Sequence, residues 1–276
     1  MFAADPHPNL MKVPALVLAA VCAVPLAAFC AVPLAAFCAV PLGAQSPLGP
    51  WPQHARNRPT PPRVAPGAYV SQAPPSDAVV LFGGPSLSRW THEAGGAAKW
   101  RVVDGVFEVV PNTGTLMTVD SFGDAQLHLE WMSPKPARGT DQDRGNSGVF
   151  FGGGRYEVQV LDSYDNPTYA DGQAGSLYGQ FPPLVNASRP PGEWQTYDIV
   201  YHRPRFTAAG KVVSAARFTV IHNGVVVQDN LELVGPTANQ SRPPYEKHAD
   251  RLPLSLQDHG HPVRFRNVWL RDLEKR

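Results

Sequence analysis

From about residue 77 to residue 273 the chain alternates apolar and polar positions over short runs, with Gly, Pro, Asn or Asp between them. The run 125–132 sets Leu127, Leu129 and Trp131 against His128 and Glu130. Successive side chains of a strand point to opposite faces, so the first three predict a buried face and the other two a polar one. Runs at 100–103 and 106–110 flank Asp104-Gly105, and runs at 217–222 and 225–228 flank Asn223-Gly224. Both dipeptides tolerate the positive φ that a type I′ hairpin needs at its two central positions. Further strands are expected at 194–202 and 263–270. No window of about 11 residues carries a helical period. About ten to thirteen strands joined by Gly and Pro turns predict an all-β, two-sheet antiparallel sandwich of jelly-roll type.

One hairpin is polar where a core is expected. Residues 144–163 read RGNSGVFFGGGRYEVQVLDS. In its second strand Glu157 and Gln159 share one face and Val158 and Val160 the other. Asp162 stands an odd number of positions after Glu157, so it joins that face only through a one-residue bulge, expected near Leu161. Two carboxyl groups with an amide between them suit general acid/base work, because their surroundings can hold them at different protonation states. The same row is also what the solvated face of an antiparallel strand looks like. Arg144, Asn146 and Ser147 supply donors beside it, and the hairpin glycines permit close backbone approach.

Composition narrows the picture. Residues 1–45 read as an exported leader, with a long apolar run, an eight-residue unit from Cys22 repeated from Cys30, and Gly43 and Ala44 suited to cleavage. An uncleaved membrane anchor is the alternative, weakened by prolines at 14, 25, 33 and 41. Met11 offers a second start. All 3 cysteines lie in this leader, which excludes a disulfide framework and thiol catalysis from the rest. Residues 46–76 are proline-rich and read as an extended linker, and residues 77–276 as one domain. A net charge of +1 with dispersed basic residues calls for no nucleic acid, and for a membrane only through the leader.

Sugars suit such a sandwich, since hydroxyls take paired hydrogen bonds and pyranose faces stack on rings. Tyr156, Tyr178, Trp194 and Tyr197 are the aromatic candidates, although aromatics in strands are more often core. His259 follows Asp258, which fixes its tautomer only where the fold brings the two side chains together. His222 and His248 have hairpin-end and loop readings beside any catalytic one. Residues 169–180 form either a cleft wall or a surface loop. No tight His/Asp/Glu spacing marks a metal site, so a divalent ion stays unknown.

The segments LFGGPSLSRW, WRVVDGVFEV, FGDAQLHLEW, the 144–163 hairpin, ARFTVIHNGVVVQDN and LQDHGHPVRFRNVWLRDL, in this order, resemble the 3-keto-disaccharide hydrolase family, described also as 3-keto-glycoside lyases and hydratases. The resemblance implies the concanavalin A-like lectin/glucanase sandwich and cleavage of 3-keto-glycosides supplied by a glycoside 3-oxidoreductase. Related β-glucanases carry E-x-D-x-x-E, and the matching positions here are Glu157, Gln159 and Asp162. An amide replaces the middle acid, which argues against a double-displacement glycosidase. The residues so implicated are Glu157, Asp162 and His259 for proton transfer, and Arg144, Asn146, Gln159, Tyr178, Trp194, Asp258 and Arg266 for sugar binding. The reading from another class is a non-catalytic, lectin-like carbohydrate-binding domain.

Overall fold

In the computed structural model residues 48–275 are described, and the signal-peptide and anchor expectations fall outside them. In chain order the strands are β1 (Val79–Phe82), β2 (Trp90–His92), β3 (Arg101–Val103), β4 (Val106–Glu108) and β5 (Leu116–Phe122). Next come β6 (Ala125–Met132), β7 (Ser147–Phe151), β8 (Tyr156–Val160), β9 (Gln195–His202) and β10 (Arg205–Phe206). The last are β11 (Val212–Ser214), β12 (Arg217–His222), β13 (Val225–Glu232), β14 (Leu252–Leu256) and β15 (Arg264–Asp272). The predicted hairpin turns form as the dipeptides require, with φ of 51° and 72° at Asp104-Gly105 and 53° and 80° at Asn223-Gly224.

The larger antiparallel sheet runs β13-β12-β9-β6-β15-β4-β3, with β1 also paired to β15. The smaller runs β2-β5-β14-β7-β8. Alternation places the inward residues of both sheets in one core: Leu127, Leu129, Trp131 and Phe265 from the larger, Val149, Phe151, Val158 and Val160 from the smaller. The chain is therefore the antiparallel two-sheet sandwich that its pattern of positions predicts.

Each sheet keeps an outward face, and the proline-rich segment lies on both. Residues 48–76 hold no strand or helix, yet they are not free of the domain. Leu48 joins the core cluster, and Val64 N–H and Asn186 N–H exchange bonds with Asn186 O (3.0 Å) and Pro62 O (2.9 Å). Tyr69 and Ser71 donate to Glu130 on the larger sheet, while His54 reaches Asp171 beside the smaller one. With eight prolines it cannot form a ladder of its own, so it borrows partners from the domain it crosses.

Candidate active site

The β7–β8 hairpin is in unbroken register from Ser147↔Val160 to Phe151↔Tyr156. Its outward side chains are therefore Phe150 and Glu157, directly opposed, with Gly148 opposite Gln159. Residues 175–178 run antiparallel along the free edge of β8: Leu177 bridges Val158, Gln159 N–H donates to Ser176 O (3.0 Å) and Tyr178 N–H to Glu157 O (3.2 Å). Tyr178 consequently stands opposite Glu157. On the other side Ser255 of β14 pairs with Phe150. One row, Ser255–Phe150–Glu157–Tyr178, crosses the outward face, with neighbouring Cβ atoms about 5 Å apart.

Glu157 is the chemical centre of that row. Its carboxyl fits because residue 148 is glycine, where an added Cβ would lie 2.5 Å from Glu157 Oε1 and 2.7 Å from the Phe150 ring. It is only 7% exposed, and burial pushes its pKa up to about 8. A carboxyl in that state is neutral at pH 7 and, once ionised, a stronger base than an ordinary glutamate.

Its neighbour Gln159 suits the neutral state. In one orientation the amide oxygen faces Glu157 Oε1 at 2.9 Å and Nε2 donates to Gln142 Oε1 at 2.9 Å. Swapped, the nitrogen donates to Glu157 Oε1 (2.9 Å) and Ser147 O (3.1 Å). The first arrangement suits a protonated Glu157 that donates to the amide; the second would serve a carboxylate but turns the Gln159 oxygen onto Gln142 Oε1 at 2.9 Å, so Gln142 holds the first. Gln142 is fixed by its own bonds to Thr168 Oγ1 (2.7 Å) and Gly172 O (3.0 Å), and Asn146 donates to Gln142 O at 2.8 Å. Asn146 thus supports the Glu157–Gln159–Gln142 chain from behind.

With this face described, similarity to known proteins gains meaning. The sequence profile of a family described as the 3-keto-alpha-glucoside-1,2-lyase-like domain matches residues 77–271. The chain belongs to this 3-keto-glucoside lyase-like family. A solved structure of a candidate glycosyl hydrolase from Parabacteroides distasonis is 48% identical, covering 78% of this chain and 93% of that one, with a TM-score of 0.72. A second structure from the same organism, 21% identical over 71% of this chain and 94% of that one with a TM-score of 0.54, shares the fold. No curated protein matches. Glycosyl hydrolase or lyase-like carbohydrate chemistry is what the family and the 48%-identical relative support for this domain.

Several residues expected in the lyase-like site lie elsewhere. Asp162 does not join Glu157: alternation along β8 turns it to the opposite face, where it lines a cavity of about 690 Å³ with Arg144, Ser133 and His261. The irregularity expected near Leu161 falls on the partner strand instead. Asp162 N–H donates to Arg144 O (3.2 Å) where even register would bring Gly145, and Gly145 takes φ of 57°. Arg144 Nε donates to Asp162 Oδ2 (2.8 Å), and its other nitrogens to Tyr164 O and Asp165 O, so it clamps a loop. Burial pushes the Asp162 pKa up, with Arg144 working against it.

His259 is exposed and stacks parallel to His261 at 6.0 Å. Asp258 does not orient it. Its oxygens accept from the backbone N–H groups of Thr113, Gly114 and Gly260, which staples two loops. Arg266 lies on the outward face of the larger sheet, its Nε donating to Glu130 (2.6 Å) and its guanidinium 3.9 Å over the Trp194 ring. Both are therefore across the sandwich from Glu157. Tyr156 and Tyr197 are core, and His222 is buried, which pushes its pKa down to about 3. Among the described residues no three His, Cys, Asp or Glu side chains converge on one point as a metal site would require. Sequence reasoning passed over Gln142 and His54, which no periodicity or spacing marks, and reached Tyr169 and Asp171 only as part of a loop that walls a cleft or lies on the surface.

Proposed function

We propose that this is an exported enzyme that cleaves the glycosidic bond of 3-keto-glucosides or 3-keto-disaccharides by elimination across C1–C2, followed by hydration. A ketone at C3 acidifies the C2 proton. Removing it gives an enolate, which reforms as a C1–C2 double bond conjugated to the ketone as the C1–O bond breaks and the leaving oxygen takes a proton. Water added across the double bond makes the net change a hydrolysis. No carbohydrate cation is needed, which fits a site where an amide stands in place of a glucanase's middle acid.

Glu157 is the proton carrier in this reading, and the observation that carries it is its burial over Gly148 with the Gln159 amide 2.9 Å from its Oε1. As carboxylate it takes the C2 proton; as the neutral acid it gives that proton to the leaving oxygen on the same face. Tyr178 and Phe150 flank it as stacking surfaces. The substrate would come from an oxidoreductase acting at C3 of a glycoside. Release of a chromophore from an aryl 3-keto-glucoside, but not from its unoxidised parent, tests the reading. Binding of both sugars with release from neither would overturn it in favour of a carbohydrate-binding sandwich.

A further inference from the structure

Residues 51–58 precede the family-matched domain and lie across residues 169–180, next to Glu157. His54 is the centre of the contact. Its backbone is held at φ of 59°, a conformation that non-glycine residues seldom adopt. Its N–H donates to Asp171 Oδ2 at 3.1 Å, and its ring lies 4.1 Å from the Tyr169 ring and 5.2 Å from that of Tyr178. Gln53 donates to Ala238 O and Arg56 pairs with Asp141, which ties both flanks down.

This contact is tight but chemically poor. Both His54 ring nitrogens, Arg58 Nη1, Asp171 Oδ1, Gln173 Oε1 and Ser176 Oγ are buried without a hydrogen-bond partner. Folded proteins pair nearly all such atoms, so a concentration of unpaired ones on a strained segment marks an occupant that does not match its seat. Asp171 Oδ1 has only His54 Nδ1 at 3.5 Å, and Gln173 Oε1 and Ser176 Oγ lack donors. A hydroxyl-rich ring against the two tyrosines, whose hydroxyls bond each other at 2.8 Å, would bring several O–H donors, where the imidazole offers only that single contact to Asp171 Oδ1.

We infer that Tyr169, Tyr178 and Asp171 form a binding subsite for a neutral pyranose, and that His54 occupies it as an internal competitor held in place by residues 51–58. Because Tyr178 stands opposite Glu157, a ring seated there would abut the carboxyl as one of the two sugars at the scissile bond. That last placement rests on the proposed reaction; the subsite itself does not. Burial pushes the Asp171 carboxyl up, but the bonds from His54 and the charge of Arg58 outweigh it, so Asp171 is a carboxylate that disfavours acidic sugars.

The test is binding of trehalose, an unoxidised neutral disaccharide, to the full chain by calorimetry, with glucuronate as the acidic control. His54→Ala removes the competing ring, and Gln53→Ala removes the anchor at Ala238 O while leaving Tyr169, Tyr178 and Asp171 in place. Each is expected to tighten trehalose binding about tenfold or more, which is about 1.4 kcal/mol. Tyr178→Ala added to His54→Ala should abolish the gain, and glucuronate should not bind. Unchanged or weaker binding in both folded variants, or a gain that survives Tyr178→Ala, overturns the subsite. No turnover is involved, so a failure to cleave 3-keto-sugars would sink the reaction and leave this result standing.

Discussion

Two glutamates, one on each outward face of the sandwich, have met burial in opposite ways. Glu157 lies on the smaller sheet over Gly148, and burial alone pushes its pKa up to about 8. Glu130 lies on the larger sheet with no exposed side-chain surface. Burial pushes it up too, but the His128 imidazole 3.9 Å away and bonds from Ser71, Tyr69 and Asn267 outweigh that and hold it well below the ordinary carboxylate range. Arg266 Nε adds a further bond at 2.6 Å. A strand can thus present a buried acid either as a tied anion or as a poised proton donor, and its partners decide which. The N-terminal segment takes part in both outcomes, satisfying Glu130 through Tyr69 and Ser71 while leaving polar atoms unpaired around His54.

The sharpest way to break the comparison is to neutralise each acid in turn. Glu157→Gln keeps the shape and the neutral state of the native side chain but cannot carry a proton. Turnover of an aryl 3-keto-glucoside should fall about 10²–10⁴-fold, with the melting temperature unchanged near pH 4.5 and raised at neutral pH, where only the native carboxyl must keep a proton to fold. Retained turnover would remove Glu157 from the chemistry. Glu130→Gln should do the reverse. Replacing an acceptor that four side chains share leaves Arg266 without its counter-charge, so unfolding free energy should drop by about 2–3 kcal/mol while turnover per folded molecule holds. Denaturant midpoints and initial rates measure the two effects separately.

The contrast also shows what the sequence could convey. Alternation and the two Asx-Gly dipeptides located the strands and hairpins, because those features follow from the local period of two and from φ preferences. Glu157 and Gln159 on one face were legible for the same reason. Nothing local told Glu157 from Glu130: both are acids amid apolar strand neighbours, and the difference is made by Gly148 in one case and by residues 59 and 61 positions away in the other. Asp162, His259, Trp194 and Arg266 were misplaced for a related reason, since their surroundings are set by which strands pair. His54 was invisible, as a proline-rich segment has no periodicity to read.

Titration should separate the two acids more finely. The folded pKa of Glu157 stands above its ordinary 4.5, so from about pH 4.5 to 8 the native chain holds a proton that the unfolded chain has released. Stability is then lost as pH rises through that window, by about 1.4 kcal/mol per unit for one proton. Glu130 is depressed, so its contribution is present above the ordinary carboxylate range and is lost as pH falls below it. Chemical unfolding from about pH 3 to 9 should show the slope between about pH 4.5 and 8 flattened by Glu157→Gln and the slope below about pH 4.5 flattened by Glu130→Gln. Equal slopes in wild type and Glu157→Gln would mean that Glu157 titrates normally.

The smallest expected effect asks whether sugar binding belongs to one face alone. Trp194 is an exposed-enough aromatic to suggest a sugar platform, but its ring is covered by the Arg266 guanidinium at 3.9 Å, and Arg266 is bound in turn to Glu130. A pyranose could stack there only by displacing a cation that the larger sheet already holds. Trp194→Ala should therefore cost about 0.5–1 kcal/mol through the lost cation–π contact, and leave KM and kcat on the 3-keto-substrate unchanged. A rise in KM with stability intact would put substrate on the larger sheet and remove the division of labour between the two faces.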